Sequence, residues 1–217
     1  MSRHFFVTGI GTGVGKTIVS ALLVAHYKGD YWKPIQSGDL DDSDSHKISL
    51  LTTDTVIHPE IHRLMLAASP HESAAVENIH ITLDDFQLPA TQNHLVIEGA
   101  GGLFVPINDR DYMIDLLEKL CCPAVLVTKD YLGTINHSIL SIKALQQRGI
   151  PISLLVLNGP FNAYSAAAIT NVLHSSTQVI HLPGLSKISQ QHIQQLSQKL
   201  DKTLKNGKPA FDQTRLD

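Results

Sequence analysis

The chain has 217 residues, 43% of them hydrophobic, enough for one sizeable core and near the upper end for a single α/β domain. Its 17 basic and 20 acidic residues leave a formal charge of −3, which gives no electrostatic case for nucleic acid or an anionic membrane, so the expected partner is a small molecule. No apolar run approaches the roughly 18–20 residues of a membrane span, and the N-terminus is expected to enter a core strand with no basic-then-apolar leader.

In chain order, apolar β-rich runs recur at 4–8, 31–35, 94–97, 124–128, 153–157 and 179–182, and helical patterns at 15–28, 43–52, 71–77, 112–120, 134–147, 163–174 and 188–205. Several strand runs are continuous Val, Ile and Leu, as expected when helices cover both sheet faces. The βαβα order predicts an α/β fold, a doubly wound, mostly parallel β-sheet flanked by helices on both faces. Ligands of such sheets bind at the C-terminal ends of the strands. Residues 52–93, interrupted by Pro59, Pro70 and Pro89, are the least regular and are expected to cover one edge of the site. The chain reads as one domain over 1–205 with a polar tail, 206–217, outside the core. The neighbouring Cys121 and Cys122 read as small buried residues of a protein in a reducing cytoplasm. The twelve histidines show no metal-type spacing and read mostly as surface residues.

The first strand runs into Gly9-Ile10-Gly11-Thr12-Gly13-Val14-Gly15-Lys16-Thr17, and a helical pattern follows at Ile18, Ala21, Leu22 and Ala25. Glycines let such a loop turn its N–H groups inward, and the helix start adds partial positive charge, which together make a phosphate cradle. The lysine then reaches the β/γ-phosphates and the following hydroxyl is placed to ligate Mg²⁺. Five residues separate Gly9 from Gly15-Lys16, one more than in the common loop.

Each later strand delivers a polar group at its end. Lys33, Ser37 and Gly38 follow the second strand, placed for anionic groups or simply solvated. Asp39 to Asp44 precede a helix, where capping accounts for most of the acids, while one carboxylate could swing onto a metal. The third strand ends in Glu98-Gly99-Ala100-Gly101-Gly102. A carboxylate at the tip of a buried strand is costly unless paired or metal-bound, which is the setting of a Walker-B-type ligand. Gly133 and Thr134 open the helix after the fourth strand, as a plain cap or as donors to a carboxylate. Asn158-Gly159 follows the fifth, as a turn or as an amide for a base edge.

Together these segments resemble the dethiobiotin synthetases, ATP-dependent enzymes of biotin synthesis with a P-loop NTPase-like fold. The resemblance is carried, in order, by the long loop from Thr8 to Thr17, Lys33-Pro34 with Ser37-Gly38, Ser69-Pro70-His71, Glu98 to Gly102, and Gly133 with Ile135-Asn136-His137, over about residues 4–185. Ile10 departs from it, standing where a threonine is usual. The resemblance implies ATP as co-substrate, Mg²⁺ as cofactor, and diaminononanoate with CO₂ or bicarbonate as the other substrates. It implies Lys16 on the β/γ-phosphates, Lys33 between γ-phosphate and a carbamate, and Thr12 and Ser37 on the carbamate or diamine. Thr17, Asp44 and Glu98 are implied as Mg²⁺ ligands. Gly13, Val14, Gly15, Ile18, Gly99, Ala100 and Gly101 are implied around the nucleotide, with Asn158, Gly159, Pro183, Gly184 and Leu185 at the adenine. A homodimer is implied as well, in which Gly133, Thr134 and Asn136 of the other subunit hold the substrate carboxylate, with Tyr164 as a further substrate contact.

Three rivals are weighed. A partition- or assembly-type ATPase switch carries a second lysine early in the loop, where this chain has Gly9, Ile10 and Gly11. A cobyrinic-acid-type amide ligase needs a glutaminase for which the chain has no room. A nucleotide-binding regulatory domain has no use for Glu98 and Lys33 together.

Overall fold

The computed structural model describes residues 4–184 and 188–206, the last six as backbone alone. The chain opens with β1 (His4–Gly9), the loop, and α1 (Lys16–Tyr27), then β2 (Asp30–Trp32), β3 (Ile35–Ser37) and α2 (Asp44–Leu51). Two short strands, β4 (Ile57–His58) and β5 (His62–Leu64), and α3 (Pro70–Val76) lead to β6 (Leu95–Gly102) and α4 (Met113–Lys119). β7 (Ala124–Lys129), α5 (Thr134–Gln147), β8 (Ile152–Asn158), α6 (Ala163–Thr170), β9 (Gln178–Leu182) and α7 (Gln190–Asn206) complete it.

Seven strands form one parallel sheet in the order β4-β2-β6-β1-β7-β8-β9, with β1 at its centre. Strand side chains alternate between faces, and the apolar ones divide accordingly into two cores. Phe6, Ile97, Leu126 and Leu155 pack with Leu116, Leu117, Ile142 and Leu145 of α4 and α5. Val7, Val96, Val125 and Val156 pack with Leu22 and Leu23 of α1 and Ile193 and Leu196 of α7. Helices therefore cover both faces, as the continuous apolar strands predict.

The strand predicted over 31–35 is two strands. β2 stops at Trp32, and β3 leaves the main sheet to pair with β5 in a second, two-stranded parallel sheet. Pro34 is the physical reason: it has no N–H to continue the ladder, and its carbonyl accepts from Ile61 N at 2.9 Å and His62 N at 3.2 Å instead. The break carries Ser37 and the start of α2 over the C-terminal ends of β2 and β6. Residues 52–93 hold β4, β5 and α3, the strands being too short for any periodicity to show. The strand predicted over 94–97 continues through the glycines to Gly102, and the helix predicted over 163–174 ends at Thr170. Both cysteines are free; Cys122 is buried as expected, but Cys121 is exposed, its φ of 51° turning it out at the end of α4. Among the described residues no helix is long and apolar enough to cross a membrane. The tail at 207–217 lies outside the described residues.

Candidate active site

The loop after β1 is shaped by close approaches. A Cβ at Gly9 would lie 2.6 Å from Val14 Cγ2, and Gly15, with φ 98°, faces the Asn158 amide so closely that any side chain would collide with it. The Asn158 Nδ2 donates to Val14 O at 2.8 Å, pinning the loop to the end of β8. Lys16, the first residue of α1, folds back to donate to Gly11 O at 3.0 Å. Burial pushes its ammonium down to about 8, a tendency that Glu98 opposes and Lys33 reinforces. An anion arriving in the loop would add to the counter-charge that Glu98 and Asp44 supply.

β1 and β6 run side by side with Val7 opposite Glu98, so the carboxylate emerges next to the loop. Glu98 is 1% exposed and has four polar groups around it, of which the Thr17 hydroxyl shares its single hydrogen with Asp44. Thr17 Oγ1 lies 3.0 Å from Oε1, Ser20 Oγ 2.7 Å and Tyr31 Oη 3.1 Å from Oε2, and Lys33 Nζ 3.4 Å from Oε1. Lys33 also meets Asp44 Oδ2 at 2.6 Å, and Thr17 Oγ1 is 2.8 Å from Asp44 Oδ1. Burial alone would push the Lys33 ammonium down, but Glu98 and Asp44 outweigh it and hold it above the usual lysine range. At Asp44 burial pushes up and is outweighed by Lys33 and by the Thr17 hydroxyl, so the carboxyl lies below its usual range. The start of α2 is set by Ser43, whose hydroxyl accepts from His46 N at 3.2 Å, and by the buried Gln36, whose Oε1 accepts from Asp44 N at 3.3 Å.

Lys16, Thr17, Lys33, Gln36, Asp44, Lys47 and Glu98 line a cavity of about 440 Å³ with Thr12, Gly13, Gly15, Ile18, Ser37, Ala100 and Gly101. The Ser37 hydroxyl is buried without a hydrogen-bond partner, as are those of Thr8 and Ser138. Among the described residues no group of three or more His, Cys, Asp or Glu could hold a metal. The oxygen trio of Thr17, Asp44 and Glu98 nevertheless fits a hard cation. Its hydroxyl-to-carboxylate separations of 2.8 and 3.0 Å match the edge, about 3 Å, of an octahedron built on about 2.1 Å bonds.

A second cavity of about 190 Å³ lies beyond Ile18, lined by Asn158, Gly159, Pro160, Leu182, Pro183 and Gly184. Asn158 is therefore at this pocket, though its amide nitrogen is already engaged by the loop. Leu185 lies outside the described residues. Gly99 does not line the main cavity; its backbone passes Phe6 with no room for a side chain, a Cβ falling 2.7 Å from Cε1. Its carbonyl lies 3.4 Å from Lys33 Nζ.

The other predicted substrate residues are not brought to either cavity within this chain. Gly133, φ 107°, caps α5, and the buried Thr134 hydroxyl is used internally, donating to Lys129 O at 2.7 Å. Asn136 is exposed, and Tyr164 is 86% exposed at the start of α6. Sequence reading missed Ser20, Tyr31, Gln36 and Lys47. Ser20 had a signal, standing three and four residues after Thr17 and Lys16 on one helix face. Tyr31 did too, since period two puts it on the same face as Lys33. Gln36 and Lys47 had none.

A glycine loop from the central strand, closed by lysine and threonine at a helix start beside a strand-tip carboxylate, defines a P-loop nucleoside triphosphatase. Comparison with known proteins agrees. The family described as AAA domain matches residues 3–194. The ATP-dependent dethiobiotin synthetase BioD of Christiangramia forsetii is 44% identical over 171 residues, 78% of this chain and 82% of that one. The BioD of Cytophaga hutchinsonii is 40% identical over 202 residues, 91% of this chain and 97% of that one. The crystal structure of a ParA family ATPase from Chlorobium tepidum has a TM-score of 0.53 over 96% of this chain and 95% of that chain. Its 16% identity makes that a likeness of fold alone. The chain belongs to the AAA-domain family and, within it, to the ATP-dependent dethiobiotin synthetases.

Proposed function

We propose that the cavity closes the ureido ring of dethiobiotin from 7,8-diaminononanoate, CO₂ and ATP. One amine nitrogen attacks CO₂ and sheds a proton, giving a carbamate. A carbamate oxygen then attacks the γ-phosphorus and ADP leaves. The second amine attacks the carbonyl carbon of the mixed anhydride, the ring closes, and phosphate departs as that nitrogen gives up a proton. The difficult encounter is the second, because a carbamate anion must approach a polyanion, and fixed positive charge is what offsets that repulsion.

The observation that carries this reading is Lys33. The residue is 4% exposed and its ammonium is held charged between Asp44 and Glu98, at the cavity that Lys16 and Ser37 also line. Lys16 would hold the β/γ-phosphates while Lys33 faces the γ-phosphate and the carbamate, with Thr12 and Ser37 donating to the carbamate or diamine. Thr17, Asp44 and Glu98 would hold Mg²⁺, which when bound neutralises charge on the β- and γ-oxygens. The smaller cavity at Asn158, Pro183 and Gly184 would take the adenine. Gly133, Asn136 and Tyr164 line neither of these two cavities; in this reading they would serve the substrate of a second copy in a homodimer. A cytoplasmic setting belongs to the same reading and is supported by the two free cysteines.

The test is ADP release from the purified protein. ADP is expected only when diamine and bicarbonate are both present; rapid ATP hydrolysis without the diamine would replace this reading with that of a hydrolytic switch.

A further inference from the structure

Ser20 and Tyr31 face Glu98 from the side away from the cavity. Both are 0% exposed, and neither lines the cavity that Glu98 helps to form. Ser20 reaches the carboxylate from α1, one turn beyond Lys16. Tyr31 reaches it from β2, where it stands opposite Val96, two residues before Glu98 on the same face of β6. That puts the two side chains on one face of neighbouring parallel strands. The two hydroxyls donate to the same oxygen, Oε2, at 2.7 and 3.1 Å. Burial, followed by the charges of Glu98 and Asp44, holds the Tyr31 phenol well above its usual range, so it remains a donor. The other oxygen, Oε1, has Thr17 and Lys33 for neighbours, and both of those residues line the cavity.

We propose that Ser20 and Tyr31 are positioning residues of the catalytic site: by occupying Oε2 they fix the Glu98 rotamer and present Oε1 alone, as a monodentate ligand, to the divalent cation of the metal–ATP complex. This inference rests on the reading of Glu98 as a metal ligand given above. A carboxylate free to rotate would alternate between one-oxygen and two-oxygen presentation, and the Mg²⁺ preference for near-ideal octahedral geometry penalises the second. Partners that orient a ligating group, without touching the metal, commonly contribute about 10–100-fold to metal affinity.

The experiment compares Tyr31→Phe, Ser20→Ala and the double variant with the unaltered protein. Mn²⁺ binding in the presence of ATP is followed by electron paramagnetic resonance, and the Mg²⁺ concentration for half-maximal turnover is measured alongside. Thermal melts without nucleotide or metal are the structural control. Each single variant is expected to weaken Mn²⁺ binding and raise the Mg²⁺ requirement about tenfold, and the double variant more. At saturating Mg²⁺ the rate should largely recover, since the metal's concentration then compensates for its affinity. A shift in melting temperature with unchanged Mn²⁺ affinity and Mg²⁺ dependence would mean that the hydroxyls only satisfy a buried charge, and would overturn the proposal. Glu98→Gln is measured beside them. If it alone loses Mn²⁺, positioning by Ser20 and Tyr31 fails while the metal reading of Glu98 stands. If none of the variants loses Mn²⁺, the metal reading fails and the proposal with it.

Discussion

Two buried carboxylates sit near opposite ends of the same pair of strands, β2 and β6, and they have been solved by the chain in different ways. Asp30, 3% exposed at the start of β2, is paired in register with Leu95. It receives the Thr91 hydroxyl, the Asn93 amide at 3.0 Å and the His58 ring at 3.3 Å. Its partners are neutral groups and a histidine from neighbouring loops and β4, and it lines none of the cavities described here. Glu98, towards the C-terminal end of β6, receives two hydroxyls on one side and a hydroxyl and an ammonium on the other, and that second side opens into about 440 Å³ of space with two lysines. The first arrangement ends in itself. The second gathers two buried ammonium groups, Lys16 and Lys33, beside the glycine loop at the edge of a cavity, which is a setting for binding something anionic. Parallel α/β sheets place their ligands at the C-terminal end of the strands; here the same residue class at the other end is structural.

If that division is right, charge removal at the upper cluster should abolish chemistry before it touches the fold. Lys16→Gln and Lys33→Gln are each expected to lower kcat by at least about 10²–10³, the range found when one preorganised donor to a developing charge is removed. They should differ in binding. Lys16→Gln loses ATP affinity, whereas Lys33→Gln binds ATP normally in a calorimetric titration and fails afterwards. Near-normal turnover by Lys33→Gln would remove it from between phosphate and carbamate.

Glu98→Gln comes next in size. The amide keeps the shape but brings an N–H towards either the metal face or the Ser20 and Tyr31 donors. The Mg²⁺ requirement is expected to rise by at least about tenfold, read from the Mg²⁺ dependence of ADP formation at fixed ATP. An unchanged dependence would make Glu98 a larger version of Asp30, a buried charge that is merely satisfied.

The parts of this contrast visible in the sequence are those encoded locally. The loop from Gly9 to Thr17 and the Glu98-Gly99 strand tip are contiguous, so their chemistry can be read along the chain. The sheet also follows from local patterns, because continuous Val, Ile and Leu runs leave few other burials open. What was hidden depends on side chains arriving from distant elements. Tyr31 donates to a residue 67 positions away, and Asp30 takes two of its donors from residues 61 and 63 positions away. The split at Lys33-Pro34 was also hidden, although the proline stood in plain view. The run 31–35 is apolar enough for one strand, and only the pairing of β3 with β5 shows why the chain turns there. Cys121 was misread for a related reason: burial of one residue of an adjacent pair says nothing about the other at a helix end.

The smallest effect expected is at the lower cluster, and it should appear in stability alone. Asp30→Asn removes the charge that Thr91, Asn93 and His58 serve, and is expected to cost about 1–3 kcal/mol at neutral pH, the penalty for disrupting a buried hydrogen-bonded group, with kcat and the Mg²⁺ requirement unchanged. The pH dependence has a definite sign. Burial pushes the Asp30 carboxyl up, but its three hydrogen bonds outweigh that and hold it below the usual carboxylate range. A group depressed in the folded state binds protons more readily when unfolded, so its contribution is complete above the unfolded value, about 3.9, and is lost as pH falls through the lower folded value. Urea denaturation of the two proteins should therefore show a constant gap from neutral pH down to about 5 and a narrowing gap below about 4. A gap that persisted unchanged into acid would mean that Asp30 acts there through shape and not charge. A loss of turnover at neutral pH in the folded variant would mean that the two ends of β2 are coupled, and that the lower carboxylate also serves the site.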